Sequence, residues 1–134
     1  MPTFTGEDLR ATRIVAGGMI AGATMFLAIA TALRTFGGMG GDLQIMSWLA
    51  CLFALVAPVT GSLVGAQVAR NPSAGGGDPR KAAFIVMYGQ MEASLLFCGV
   101  ALLVGPNLWP LAAALVPLGA MISQFPRGDV PRTG

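Results

Sequence analysis

The chain has 134 residues, of which 54% are hydrophobic and only 10% are charged, and its mean hydropathy is +0.71. A soluble domain carries about 25% charged residues, so this composition excludes an ordinary water-soluble domain and is typical of a protein in a lipid bilayer. Because each membrane-spanning helix needs about 20 apolar residues, four spans would use most of the chain and leave no room for a separate catalytic domain.

Charged residues mark the ends of the predicted spans, because an unpaired charge is unfavourable in the hydrocarbon region. The last and longest apolar region is divided by a Gly-Pro-Asn string at Gly105–Asn107, which is typical of a turn outside the bilayer. The four predicted spans cover residues 14–33, 43–69, 82–104 and 108–125. We therefore predict an all-α fold, with residues 1–134 forming a single integral membrane four-helix bundle.

Basic residues are distributed unequally between the two ends of the predicted bundle. Arg34 alone lies on one side, whereas seven basic residues lie on the side of the termini and of the loop between the second and third spans. These seven are Arg10, Arg13, Arg70, Arg80, Lys81, Arg127 and Arg132. Because basic loops stay in the cytoplasm, we expect both termini to face the cytoplasm across a bacterial inner membrane. The net charge of +2 reflects this topology, and we predict no nucleic-acid partner.

Small residues recur at the spacing through which membrane helices contact each other. Gly18 and Gly22 form a Gly-x-x-x-Gly pair in the first span, and Gly61 and Gly65 form another in the second. Close approach of two backbones at such pairs drives helix association in lipid. The pairs fit two interpretations, packing within one bundle and an interface between subunits, and the sequence leaves both open.

The residue types in the chain limit its chemistry. Histidine is absent, and both cysteines, Cys51 and Cys98, lie within predicted spans. The usual ligand sets for zinc, haem and iron–sulfur clusters are therefore lacking, and we predict neither a metal nor a cofactor. The sequence also lacks a nucleophile and base set, so we predict that the chain is not an enzyme.

Glu92 is the single charged residue inside a predicted span. An acid at mid-membrane is unfavourable and is therefore a functional hypothesis by default. Counting inward from the cytoplasmic ends of the spans places Thr24, Thr60 and Glu92 at one level, and Tyr88 lies one helical turn before Glu92. We predict that Glu92 faces the bundle interior with these hydroxyl groups as candidate partners. It would either fix helix packing as a structural acid, or carry a proton or bind a cation.

The second and third spans carry a familiar arrangement. Arg70, Asn71 and Pro72 form a short polar loop after the second span, and Glu92 follows at mid-membrane with Gln90 beside it. Residues 61–104 thereby resemble the hairpin of the rotor-ring c subunit of F-type ATP synthases, in which an Arg-Gln-Pro loop precedes an ion-carrying acid. This resemblance implies a proton- or cation-translocating subunit that uses Glu92.

The layout of the whole chain carries a second resemblance. Arg80 or Lys81 opens the third span, Glu92 is followed by a small residue, and a Phe-Pro-Arg string at 125–127 closes the fourth. This pattern resembles that of a group of uncharacterised small four-helix proteins of the bacterial inner membrane, which implies fold and topology but no activity. We therefore expect a non-enzymatic structural or accessory component of a membrane complex, in contact with lipid and with further copies or other subunits. Glu92 would organise the bundle, and the alternative is the ion-translocating subunit.

Overall fold

The computed structural model describes residues 6–71 and 78–127, which fold into four α-helices without a strand. The helices are α1 (Gly6–Phe36), α2 (Gln44–Arg70), α3 (Pro79–Val104) and α4 (Trp109–Ser123). The prediction of an all-helical chain is confirmed, and each helix overlaps one predicted span. Two residues used in the sequence analysis, Pro72 and Arg132, lie outside the described residues.

Three of the helices are long and apolar enough to cross a membrane, and α4 is shorter. The first three have 31, 27 and 26 residues, and a rise of about 1.5 Å per residue makes each longer than a hydrocarbon layer of about 30 Å. α4 has 15 residues, which corresponds to about 22 Å. The predicted span of residues 108–125 is thus longer than the helix. The helix ends early because Pro126, just after the C-cap residue Gln124, cannot continue it.

α3 and α4 each pack against the other three helices, and the contacts of α3 are the more extensive. α1 and α2 each contact α3 and α4, and they make no contact with each other in the described part of the chain. The core combines large side chains from α3 with small ones from α1 and α2. Its fully buried members include Tyr88, Met91, Leu95 and Leu102 of α3, Ala16 and Ala23 of α1, and Ala50 and Ala54 of α2.

Two contacts fix the register between α1 and α3. Lys81 forms a salt bridge with Asp8 at one end, and Gly99 packs directly against the ring of Phe26 further along. Each pair is separated by 73 residues in the sequence. α1 and α3 therefore run parallel, with one constant offset along their length.

α2 runs antiparallel to α3. Near one end of the pair, Gly65 lies against the carbonyl oxygen of Ala83. Further along, the Sγ of Cys98 donates to the carbonyl oxygen of Ala50 at 3.7 Å. Cys51, next to Ala50, and Cys98 thus lie at a similar depth, as their sequence positions indicate, and both are free thiols.

The C-terminal end of α3 is capped by α1. The guanidinium group of Arg34 donates to the carbonyl oxygens of Leu102, Gly105 and Pro106 at 2.5 to 2.6 Å. Carbonyl groups at the C-terminus of a helix lack intrahelical partners and carry partial negative charge. The guanidinium group of Arg34 supplies both hydrogen-bond donors and a positive charge to these carbonyl groups.

Candidate functional site

Glu92 lies on the side of α3 that packs against α1. Gly99, seven residues further along α3, contacts Phe26, and Lys81, eleven residues back, pairs with Asp8. Residues separated by 7 and by 11 positions share one face of a helix. The side chain of Glu92 is half-buried. It therefore lies at the edge of the interface between α1 and α3. The sequence predicted a position in the bundle interior, and the structure places the side chain further outward.

The structure does not join the predicted hydroxyl partners to Glu92. Tyr88 donates its hydroxyl to the carbonyl oxygen of Met121 on α4. Thr60 donates to the Val56 carbonyl oxygen of its own helix at 3.1 Å, and the side chain of Thr24 is exposed. Across residues 6–71 and 78–127, no hydrogen bond or ion pair connects Glu92 to another side chain or to the backbone. The roles assigned to the three hydroxyl groups stay predictions.

Thr24 also lies at a different depth from that predicted. The constant offset between α1 and α3 places Met19 level with Glu92, which leaves Thr24 about 7 Å further along α1. The prediction assumed that the charges flanking the spans lie at one depth. Arg13 contradicts that assumption, because it lies deeper than Lys81 and donates from Nε to the Pro126 carbonyl oxygen at 2.8 Å.

The fully buried Tyr88 connects α3 to the end of α4. Its ring stacks on that of Phe84 with a centroid distance of 4.3 Å, and its hydroxyl reaches the carbonyl of Met121. That carbonyl belongs to the last turn of α4, where backbone acceptors lack intrahelical donors. The contact explains why a tyrosine can be buried here without an unpaired hydroxyl group.

The two glycine pairs lie in different surroundings. Gly61 and Gly65 are buried against α3, and a Cβ atom on Gly65 would stand 3.0 Å from the carbonyl oxygen of Ala83. Gly18 and Gly22 are exposed, and among the described residues no atom of another helix lies within 4 Å of a Cβ position built on either glycine. The α2 pair therefore serves packing within the chain, whereas the α1 pair faces outward. Sequence spacing is identical in both pairs and gave no signal for this difference.

The exposed glycine pair and Glu92 occupy one region of the surface. Gly22 lies one turn before Phe26, the residue that contacts Gly99 of α3, so it borders the same interface as Glu92. The register between the helices also places Gly18 and Gly22 within about one turn of the depth of Glu92. We call this region, defined by Gly18, Gly22 and Glu92, the α1/α3 edge. It combines two exposed glycines, which leave room for the close approach of a helix, with a carboxyl group that can accept hydrogen bonds.

The described residues contain no group of three or more His, Cys, Asp or Glu side chains that could hold a metal ion. Comparison with known proteins adds no family, since no family model, curated protein or solved structure matches the chain. The resemblances drawn from residues 61–104 and from the overall layout therefore stay expectations. The candidate site rests on the position of Glu92 beside the exposed Gly18 and Gly22.

Proposed function

We propose that the chain is a multi-pass protein of the bacterial inner membrane that crosses four times and acts, without enzymatic activity, as an accessory component of a membrane complex. Three long apolar helices support membrane insertion. The excess of basic residues at one end supports a topology with both termini in the cytoplasm. α4 would cross with help from the apolar residues Leu108 and Phe125 beyond its helical ends.

The observation that carries this proposal is the surroundings of Glu92. An acid at the centre of a span opposes insertion by roughly 2.5 to 3.5 kcal/mol, and none of the described residues offers it a hydrogen bond or an opposite charge. Polar groups in membrane helices pair with polar groups of neighbouring helices. Glu92 at the α1/α3 edge would therefore bond to a donor on a partner helix that packs against Gly18 and Gly22. The partner is a second copy or another membrane subunit.

Two substitutions of Glu92 test the proposal. Glu92→Gln keeps hydrogen-bonding capacity and should leave the assembly intact, whereas Glu92→Leu removes it and should yield the single chain. The measurement is the protein mass of the purified particle in mild detergent, obtained by size exclusion with light scattering. Glu7→Leu is the matched control, because Glu7 is an exposed acid in the first turn of α1. An assembly that survives Glu92→Leu, or a wild-type chain that is monomeric, would contradict the proposal.

A second function is favoured by the partial exposure of Glu92. A carboxyl group that exchanges protons or cations has to be reachable from outside the bundle core, as this one is. In that case Glu92→Gln should abolish proton- or sodium-coupled flux in reconstituted vesicles while the assembly persists. A carbodiimide should label Glu92, and sodium or high pH should protect it. Unchanged flux in Glu92→Gln would exclude a carrier role.

A further inference from the structure

α4 ends well before its neighbours on the proposed cytoplasmic side. The bond between Tyr88 and Met121 places these residues at one level. Beyond that level α4 continues for two residues to Ser123, whereas α3 continues for nine residues to Pro79. α3 therefore projects about 10 Å further than α4, and α2, which runs alongside α3, extends to Arg70.

An open groove of about 260 Å³ lies between the projecting ends of α2 and α3. Its lining includes Gly65, Ala66 and Ala69 of α2 and Arg80, Ala83 and Phe84 of α3. Phe84 shares a face of α3 with Tyr88, which contacts α4, so the groove opens toward the space into which α4 would have continued. The groove is wide because the residues of α2 that line it are small, and its walls are almost entirely apolar.

Arg80 provides a positive charge at the end of the groove. Its side chain is exposed, and its guanidinium group makes no hydrogen bond or ion pair with the described residues. Lys81 differs, because it is paired with Asp8. Asp78 is the neighbouring acid, and it caps α3 by accepting from the backbone N–H of Arg80 at 2.9 Å. Arg80 is therefore available to an anion at the level of the lipid headgroups.

We propose that this groove binds one anionic phospholipid, with an acyl chain between α2 and α3 and the phosphate group on Arg80. Basic pockets between transmembrane helices on the cytoplasmic side recognise anionic headgroups, and an apolar groove at that depth is matched by a lipid chain. The C-terminal segment 128–134 is a poor alternative occupant, because Val130 is its single large apolar residue. The inference rests on the membrane insertion in the proposed function but is independent of Glu92.

The charge contribution is tested by titrating phosphatidylglycerol and phosphatidylcholine into the full chain in nonionic detergent and counting bound lipids by native mass spectrometry. Arg80→Gln should weaken phosphatidylglycerol binding about fivefold, as expected for one basic residue near an anionic surface, and should leave phosphatidylcholine binding unchanged. Arg10→Gln removes an exposed charge from the same side and should change neither. An equal loss in Arg10→Gln and Arg80→Gln would indicate attraction without a site and overturn the proposal.

The groove itself is tested by filling it. Ala66→Phe should lower the binding of both lipids at least tenfold, whereas Ala112→Phe, at an exposed position of α4, should have no effect. Circular dichroism of both variants checks that they are folded. Wild-type binding by folded Ala66→Phe would overturn the proposal, and so would lipid binding that occurs only after removal of residues 128–134. Glu92→Leu should bind lipid as the wild type does, so this proposal and the proposed function fail separately.

Discussion

Arg34 connects α1 to α3, since it donates to the carbonyl oxygen of Leu102, which lies 68 residues further along the sequence. It lies in the last turn of α1, where a basic residue is favourable for α1 itself. In the structure Arg34 also caps the parallel helix α3, because its donors reach three carbonyl groups at the end of that helix. The guanidinium plane suits this task, since it presents several donors in a fixed arrangement that an ammonium group lacks.

Replacement of Arg34 should destabilise the bundle. Arg34→Ala leaves three carbonyl groups without this donor and should lower the free energy of unfolding by about 2 kcal/mol, since each net hydrogen bond contributes about 1 kcal/mol and the site is partly exposed. Arg34→Lys should recover part of the loss through its charge. Reversible unfolding in mixed micelles measures both variants. Arg10→Ala, at an exposed position of the same helix, should change stability by less than about 0.5 kcal/mol, and an equal effect there would exclude a capping role for Arg34.

At the scale of the helices, the same Gly-x-x-x-Gly motif has different surroundings in α1 and α2. Gly65 allows α2 to approach the backbone of α3, because a Cβ atom there would crowd the Ala83 carbonyl oxygen. No other helix of the described residues approaches Gly22 closely, since the space around a Cβ position there is open. Two exposed glycines one helical turn apart, next to a half-buried acid, are suited to the close approach of a further helix.

Leucine substitutions distinguish the two pairs. Gly65→Leu should destabilise the single chain by about 1 to 3 kcal/mol, because it overpacks the contact between α2 and α3. Gly22→Leu should not lower the unfolding free energy of the single chain, because leucine is the better helix former at an open position, and it should lower the mass of the assembled particle. Unfolding in micelles and light scattering supply the two measurements. The interpretation fails if Gly22→Leu unfolds the chain as readily as Gly65→Leu does.

The sequence predicted the helices better than it predicted their contacts. Hydropathy and charge located all four helices, because a long apolar stretch between charged residues has few alternatives to a helix if it lies in lipid. Depth was predicted less well, because Arg13 lies deeper than Lys81 and shifted the count that led to Thr24. The partners of Tyr88 and Arg34 are backbone carbonyl groups of distant segments, and such acceptors leave no trace in residue type. The surroundings of Glu92 depend on helix rotation, which the spacing of residues 82–104 does not determine.

At the scale of the whole molecule, the charge asymmetry is larger than residue counts indicate. Arg34, the single basic residue at the end opposite the termini, is engaged with the carbonyl groups of α3. At the other end the side chains of Arg10, Arg70, Arg80 and Arg127 are exposed. Accessible positive charge is thus concentrated on one side of the bundle. This distribution strengthens the argument for cytoplasmic termini, because the orientation rule concerns basic residues near the ends of the spans.

The short α4 makes the number of crossings the decisive test of this topology. If all four helices cross, single cysteines at Ser73 and Thr133 should resist a membrane-impermeant maleimide in intact cells and react once the inner membrane is opened. A cysteine at Met39, an exposed position between α1 and α2, should react in intact cells. If only the three long helices crossed, Thr133→Cys would react from outside, and Arg127 and Arg132 would lie in the periplasm against the charge rule. The unsubstituted chain is the control, since Cys51 and Cys98 lie within helices. Labelling of Thr133→Cys but not of Ser73→Cys in intact cells would overturn the fourth crossing, and labelling of both would reverse the orientation.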